Sequence, residues 1–149
     1  MLIVRRMQEE DIEAIAQIEA ETFTDAWTVQ GIRDTFQQKH AMITVAELED
    51  KVVGYCIIYY VLDEGEIARI AMVPSARGKG FGRQLLGFTA KQCARLQVTR
   101  LLLDVRESNA TARAFYSAFG FQEDGIRKRF YENPQEDAVL MSATISCDW

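Results

Sequence analysis

The feature that most constrains the fold is a glycine-rich, basic segment at residues 74–86, PSARGKGFGRQLL, which separates a strand pattern from a helix pattern. The run before it, residues 66–74 (EIARIAMVP), is typical of a strand that stops at its proline. A helix is predicted from about Gly80, and its inward residues at helical spacing are Phe81, Leu85, Phe88, Cys93 and Leu96. The chain therefore contains a strand–loop–helix unit with a glycine-rich, cationic loop.

In the N-terminal half, strand and helix patterns alternate. Residues 2–6 (LIVRR) form a short β-branched run, and Asp11 is a candidate N-cap for the helix that follows. The inward positions of this helix are Ile12, Ile15, Ala16, Phe23 and the aliphatic stem of Glu19. Thr28 is the cap candidate for a second helix, and residues 41–62 predict two strands that turn at residues 49–51.

The C-terminal half continues the alternation. Residues 100–105 (RLLLDV) are a short apolar run typical of a buried strand. Asn109 is a cap for a helix through Phe119 that Gly120 ends, and two strand patterns close the chain. The resulting order, β-α-α-β-β-β-α-β-α-β-β, predicts an α/β fold, a mixed sheet with helices on its faces.

Composition and charge restrict the class of protein. The 149 residues are 48% hydrophobic and 26% charged, with no linker-like stretch, which predicts a single domain over residues 1–149. The net charge of −5 argues against a nucleic-acid partner, because phosphate neutralisation needs an excess of Lys and Arg. No apolar window reaches membrane-spanning length, and the three cysteines are widely spaced. A cytoplasmic protein without a membrane partner is expected.

Metal-based and histidine-based catalysis are not expected. His40 is the only histidine, so neither a Ser-His-Asp triad nor a His-rich metal site is available. Cys93 falls on the predicted buried face of its helix and Cys56 lies within a strand, which does not favour a reactive thiol.

The glycine-rich loop is expected to bind an anion. Glycines without a Cβ let successive N–H groups turn toward one spot, and the N-terminus of the next helix adds its positive dipole end. The cations around these glycines, Arg77, Lys79 and Arg83, favour a diphosphate over a single carboxylate. A P-loop is excluded because Val73 and Gly80 occupy two of its required positions, and a dinucleotide fingerprint is excluded because Arg83 replaces its third glycine.

The segment RGKGFG at residues 77–82 resembles the Arg/Gln-x-x-Gly-x-Gly/Ala signature of the GNAT N-acetyltransferases, in which this loop holds the pyrophosphate of acetyl-coenzyme A (acetyl-CoA). From residue 66 to residue 145 the chain is similar to the RimI-type ribosomal-protein-alanine N-acetyltransferases, and the N-terminal helices are similar more loosely. The resemblance implies a GNAT-like, mostly antiparallel central sheet flanked by helices, with acetyl-CoA as cosubstrate and no metal.

The resemblance also assigns cofactor-binding residues. The strand before the loop would line the pantetheine arm with the backbone of Ile70, Ala71, Met72 and Val73. The pyrophosphate would lie against Arg77, Gly78, Lys79, Gly80, Phe81, Gly82 and Arg83. Asn109 matches a cofactor-contacting Asn, and a helix cap is a second reading of the same residue.

Tyr116 matches the Tyr of the family's Tyr-x-x-Leu-Gly-Phe stretch, which contacts the cofactor near its sulfur and protonates the departing thiolate. The same residue also fits a core aromatic beside Phe119.

Two carboxylates are candidates for the base. Asp104 stands where the family usually has Glu, and its shorter side chain favours a water relay. Glu66 is the alternative, directly or through that water.

The substrate that the resemblance implies is the N-terminal α-amine of a peptide, specifically the alanine of a small-subunit ribosomal protein. About a third of an α-amine is neutral at about pH 7.5, against about 0.1% of a lysine, so an α-amine needs little help from a base. Residues that would flank the peptide are Phe23, Trp27, Thr28 and Tyr131. The segment FTDAWT departs from the family's Phe-Pro-Trp-Ser in its extra length and its lack of proline.

Three alternatives stay open at the level of sequence. They are a GNAT enzyme for a small amine or a lysine, an acyl-CoA-binding sensor without turnover, and a ribosome-associated interaction protein. The acidic residues 63–66 and 135–137 suit either attraction of a cationic N-terminus or solvated loops. The sequence does not indicate an oligomeric state.

Overall fold

The computed structural model describes residues 1–148, and Trp149 lies outside the described residues. One seven-stranded sheet has the order β1-β2-β3-β4-β5-β7-β6. Its strands are β1 (Leu2–Arg6), β2 (Ala41–Leu48), β3 (Lys51–Val61), β4 (Glu64–Met72), β5 (Arg100–Arg106), β6 (Gln122–Tyr131) and β7 (Glu136–Thr144). Only β4 and β5 pair in parallel among the described strands, which confirms the mixed, mostly antiparallel sheet.

Helices cover both faces of this sheet in the predicted order. They are α1 (Ile12–Thr22), α2 (Val29–Phe36), α3 (Phe81–Arg95) and α4 (Ala110–Phe119). The core under α1 and α2 includes Ile15, Ile32, Tyr55 and Ile57. The core under α3 and α4 includes Leu85, Cys93, Leu101, Tyr116 and Met141. Burying each large apolar side chain contributes about 1.5–3 kcal/mol, so the two cores hold the helices to the sheet.

Two of the predicted helix caps are confirmed. The Thr28 hydroxyl accepts a hydrogen bond from the N–H of Gly31 at 3.0 Å, and α2 begins at the next residue. Asn109 Oδ1 accepts from the N–H of Ala112 at 3.1 Å and caps α4 in the same way. These side chains satisfy donors that helix starts leave without intrahelical partners.

The predicted cap of α1 is wrong in its chemistry. Asp11 stands at the N-cap position, but its side chain makes no capping hydrogen bond to α1. Its carboxylate accepts instead from the N–H of Gln8 at 2.7 Å and from Arg5 Nη1 at 2.8 Å. A turn of 3-10 helix precedes α1, so the carboxylate serves that turn and ties it to β1.

The inward face of α3 also differs at its end. Leu96, predicted to face inward, is 39% exposed. The helix ends at Arg95, and Gln97 has a positive φ of 72° that turns the chain. Val98 is buried after this turn, at a position that helical spacing does not predict.

The two parallel strands pair only at their beginning. Residues 64–66 of β4 align with residues 100–102 of β5, and no later pair joins them among residues 1–148. Beyond this point β4 follows β3 and β5 follows β7. The strands therefore diverge, and the opening between residues 67–72 and 103–106 lies toward their carboxyl ends. Sheets of this kind commonly bind ligands at the carboxyl ends of parallel strands.

A β-bulge in β4 decides which side chains share a face. The register of β4 against β3 shifts between Ile57 and Ile58, which leaves Ala68 as the extra residue. Because the bulge interrupts the alternation of side chains, Glu66 and Arg69 lie on the same face, the one that α1 and α2 cover. In an unbroken strand, residues three apart would point to opposite faces.

Candidate active site

The glycine-rich loop lies at the carboxyl end of β4, beside the opening between the strands. Gly78 and Gly80 have φ values of 75° and 79°, a left-handed conformation that is strained for residues with a Cβ. Gly80 is the N-cap of α3 and has no capping side chain. The N–H of Gln84 donates to the Gly80 carbonyl at 3.2 Å, whereas the N–H groups of residues 81–83 have no acceptor within residues 1–148. These free donors are available to an anion.

The three predicted cations border this loop. Arg77 Nε donates to the Met72 carbonyl at 3.0 Å, which ties the loop to the last residue of β4. Lys79 and Arg83 are exposed. The loop therefore combines free N–H groups with exposed positive charge, a combination that suits a pyrophosphate.

Tyr116 of α4 is buried, with 7% of its surface exposed, and its ring packs against Phe115 and Phe121. The interpretation of Tyr116 as a core aromatic is therefore confirmed, and its role as an acid stays a prediction. Burial raises the pKa of Tyr116, and the neighbouring Cys56 and Tyr131 raise it further. The phenol stays protonated at neutral pH, and no residue among 1–148 makes a hydrogen bond with its hydroxyl. It can donate a proton to a ligand.

The two candidate bases lie on one face of the sheet. Glu66 is aligned with Leu102 across the parallel pair, and Asp104 lies two residues further along β5. Alternation therefore places both carboxylates on the face covered by α1 and α2. Asp104 is half-buried at the opening, whereas Glu66 is exposed where the strands still pair.

Tyr131, at the end of β6, borders the same region. Burial, with a smaller contribution from the charge of Asp104, raises the pKa of Tyr131 to about 12. The Arg106 guanidinium carbon lies 4.5 Å from the centroid of the Tyr131 ring.

Phe23 and Trp27, the other predicted peptide contacts, lie around one cation. The Arg69 guanidinium carbon is 4.1 Å from the Phe23 ring centroid and 5.7 Å from that of Trp27. Trp27 also packs against Tyr59 of β3, with ring centroids 6.4 Å apart. Sequence reasoning missed Arg69, although a single charged residue inside the apolar run IARIAMV at residues 67–73 was a signal for it.

Glu19 was expected to bury only its stem, and that expectation is wrong. Its side chain is fully buried, and its carboxylate accepts hydrogen bonds from the N–H of Trp27 at 2.9 Å and from the Tyr55 hydroxyl. Arg69 Nε lies 3.3 Å from Glu19 Oε2 as an ion pair. A buried carboxylate needs such partners, and all of them come from outside α1.

Comparison with known proteins assigns this architecture. A sequence model of the acetyltransferase (GNAT) family matches residues 12–121. The chain belongs to the GNAT acetyltransferase family. A Bacillus subtilis protein, provisionally named a ribosomal protein bS18-alanine N-acetyltransferase, is 38% identical over 96% of this chain and 95% of its own length. The Haemophilus influenzae protein of that name is 33% identical over 95% of this chain and 98% of its own.

A solved GNAT structure supports the same assignment. The crystal structure of the ribosomal-protein-S18-alanine N-acetyltransferase from Escherichia coli superposes with a TM-score of 0.89 at 30% identity, covering 98% of this chain and 95% of that one. The GNAT fold predicted from the sequence is therefore confirmed, and the chain is an acetyl-CoA-dependent N-acetyltransferase.

The buried cysteines and the possible metal ligands of this GNAT enzyme do not form a second reactive site among residues 1–148. Burial raises the pKa values of the Cys56 and Cys93 thiols, which keeps them protonated. Among residues 1–148, no three His, Cys, Asp or Glu side chains are grouped as metal ligands, and none of the helices has the length and apolar character of a membrane span.

The acidic residues near the end of the chain are structural. Glu136 accepts from the N–H of Ser108 and from Arg106 at 3.2 Å. Asp137 accepts from the N–H of Arg129 at 2.8 Å and pairs with Lys128. Both carboxylates at 135–137 therefore have partners within the chain and are not simply part of a solvated loop.

The loop geometry gives a first testable prediction. Gly80→Ala should raise the KM for acetyl-CoA about five- to thirtyfold, because a Cβ in the left-handed region costs about 1–2 kcal/mol and disturbs the first N–H groups of α3. A Cβ at Gly80 meets no atom within 4 Å, so the effect is conformational. Gly125→Ala, equally open but without a positive φ, is the control in steady-state kinetics and should leave KM unchanged. Equal KM values for both variants would contradict the prediction.

Proposed function

We propose that this GNAT enzyme transfers the acetyl group of acetyl-CoA to the N-terminal α-amine of a protein, the N-terminal alanine of a small-subunit ribosomal protein. Residues 1–149 act as one N-acetyltransferase domain, and a ribosomal substrate places the reaction in the cytoplasm. The names of the bacterial relatives support the choice of substrate.

The observation that carries the proposal is the opening between β4 and β5. On one side it meets the free N–H groups of residues 81–83, Asp104 lies on its β5 wall, and Tyr116 belongs to the core under α3 and α4. The residues present fit acetyl-CoA, since residues 70–73 have no partner strand on the side that faces the opening. The Val73 N–H donates to the Val53 carbonyl at 2.8 Å and the Met72 carbonyl accepts from Arg77 Nε, so the pantetheine amides would pair with the remaining backbone groups of this stretch. Asn109 keeps its Nδ2 donors for the cofactor while its Oδ1 caps α4.

The mechanism divides acid and base between two sides of the opening. When bound, acetyl-CoA supplies an acetyl group activated as a thioester. Asp104, directly or through a water that Glu66 helps to hold, accepts the proton that the α-amine loses as it becomes a nucleophile. The hydroxyl of Tyr116 donates its proton to the sulfur that leaves. Its raised pKa keeps this proton in place over the whole neutral range.

The peptide is held on the face that carries the two carboxylates. Phe23 and Trp27 from the segment between α1 and α2, and Tyr131 from the end of β6, supply apolar and aromatic contacts. Thr28 caps α2 and holds the end of that segment. An α-amine suits a site with a single half-buried carboxylate, because about a third of it is already neutral at about pH 7.5.

Thiol release with a peptide panel tests the proposal. A peptide that begins with alanine and follows the organism's own small-subunit ribosomal protein should be acetylated, and mass spectrometry should locate the acetyl group on its α-nitrogen. The same peptide with a blocked α-amine and an internal lysine is the matched control and should release no thiol. Acetylation of the lysine or of small amines alone would replace the proposed substrate. Tight acetyl-CoA binding without any turnover would indicate an acyl-CoA sensor.

A further inference from the structure

We propose that Arg69 is a positioning residue that holds residues 23–28, here called the peptide loop, in the conformation that receives the substrate. The inference rests on the proposed function. Arg69 is on β4, whereas the peptide loop joins α1 to α2 on the adjacent face of the sheet. Its role is to fasten that loop to the strand that also lines the cofactor opening.

Arg69 contacts three residues of the peptide loop. Its Nη2 donates to the Asp25 carbonyl at 3.0 Å and to Asp25 Oδ1 at 3.1 Å. Its guanidinium plane stands over Phe23 at 4.1 Å and reaches Trp27 at 5.7 Å. A planar guanidinium can form hydrogen bonds at its edge while it stacks on aromatic rings, which an ammonium group cannot do.

The base of the peptide loop is held through the same cation. Glu19 accepts from the N–H of Trp27 and pairs with Arg69 Nε at 3.3 Å. The contact does not have hydrogen-bond geometry, so Arg69 Nε is a buried donor without an acceptor among residues 1–148. The positive charge of Arg69 explains why the guanidinium lies here, because the fully buried Glu19 carboxylate needs a neighbouring cation.

The sequence of the peptide loop explains why such a clamp is useful. FTDAWT lacks the proline of the shorter family pattern, so the free loop has more conformations to lose on binding a peptide. Arg69 reduces this cost by holding both Asp25 and the aromatic contacts before the peptide arrives. The bulge at Ala68 is what brings Arg69 to the face that carries Glu66 and Asp104.

The side chain of Arg69 contacts only the peptide loop and its base. Among residues 1–148 its hydrogen bonds, ion pairs and ring contacts are with Phe23, Asp25, Trp27 and Glu19, and none is with residues 77–83. Its loss is expected to affect the peptide and not acetyl-CoA.

Kinetics of Arg69→Gln test the proposal. The KM for the alanine-initiated peptide should rise about tenfold or more, the change typical of losing hydrogen bonds from a charged group. The KM for acetyl-CoA should stay within about twofold, which a general loss of structure would not allow. Arg69→Lys should fall between wild type and Arg69→Gln. Arg100→Gln, an arginine of β5 paired with Glu64, is the matched control and should leave both KM values unchanged. An unchanged peptide KM, or equal changes in both KM values, would overturn the proposal.

A substrate-free measurement separates this proposal from the proposed function. Trp27 and Trp149 are the two tryptophans, so Trp149→Phe leaves Trp27 as the only one. In that background, Arg69→Gln should raise acrylamide quenching of Trp27 about twofold, whereas Arg100→Gln should not. Asp25→Asn changes an exposed side chain and leaves the Glu19–Arg69 ion pair in place. This variant should also raise the quenching of Trp27. If Arg69→Gln raises the quenching of Trp27 but the wild type does not acetylate the peptide, the clamp is supported and the proposed substrate is rejected. If Arg69→Gln leaves the quenching unchanged, the clamp is rejected.

Discussion

Tyr116→Phe should lower kcat at least about a hundredfold, the usual size of lost acid catalysis, while the KM for acetyl-CoA stays within about twofold. The ring packs between Phe115 and Phe121, so phenylalanine keeps the core contacts and removes only the hydroxyl. The measurement is thiol release with the alanine-initiated peptide at saturating acetyl-CoA. Tyr60→Phe is the matched control, because this hydroxyl bonds the Lys39 carbonyl at 3.2 Å, outside the site.

The alkaline side of the pH profile provides a second readout of the same residue. An ordinary tyrosine has a pKa of about 10, and burial raises the pKa of Tyr116 above that value. The acid therefore stays protonated, and kcat of the wild type should not fall between about pH 8 and about pH 9.5. A fall in that range together with a small effect of Tyr116→Phe would assign the acid to another group.

Asp104→Asn should lower kcat/KM for the peptide about a hundredfold at about pH 6.5 and much less at about pH 9. The α-amine is about 5% neutral at the lower pH and about 90% neutral at the higher one, so the need for a base disappears as pH rises. Asp104 is half-buried on β5 at the opening, on the face of the sheet that also carries Phe23 and Trp27.

Glu66→Gln distinguishes the direct route from the relay. Glu66 is exposed on the same face, at the point where β4 and β5 still pair. If Asp104 acts directly, Glu66→Gln should reduce kcat/KM less than about threefold at either pH. An equal and pH-dependent loss in both variants would indicate a water shared by the two carboxylates. Full activity of both variants at about pH 6.5 would remove the base from the mechanism.

Resemblance and local pattern predicted much of the site. The glycine-rich loop, the cap at Asn109 and the position of Tyr116 each depend on residues close together in the chain. The strand registers that bring these residues together depend on pairs of residues that are far apart in the sequence. The opening exists because the pairing of β5 with β4 ends after the third residue of β5, while β5 stays paired with β7 along its whole length, and no local pattern in either strand indicates that point.

The chain's own sequence determined the order of strands and helices and the glycine-rich, cationic character of residues 77–83, because periodicity, glycine placement and capping act over a few residues. Its resemblance to the GNAT signature indicated the family. Only the tertiary structure decided the partners of Arg69, Glu19 and Asp11. Each of these charges is paired with residues from another element, at sequence separations from 6 to 50. Burial makes such pairing necessary, but which cation meets which carboxylate follows from strand register and from the bulge at Ala68, which exist only in the folded sheet.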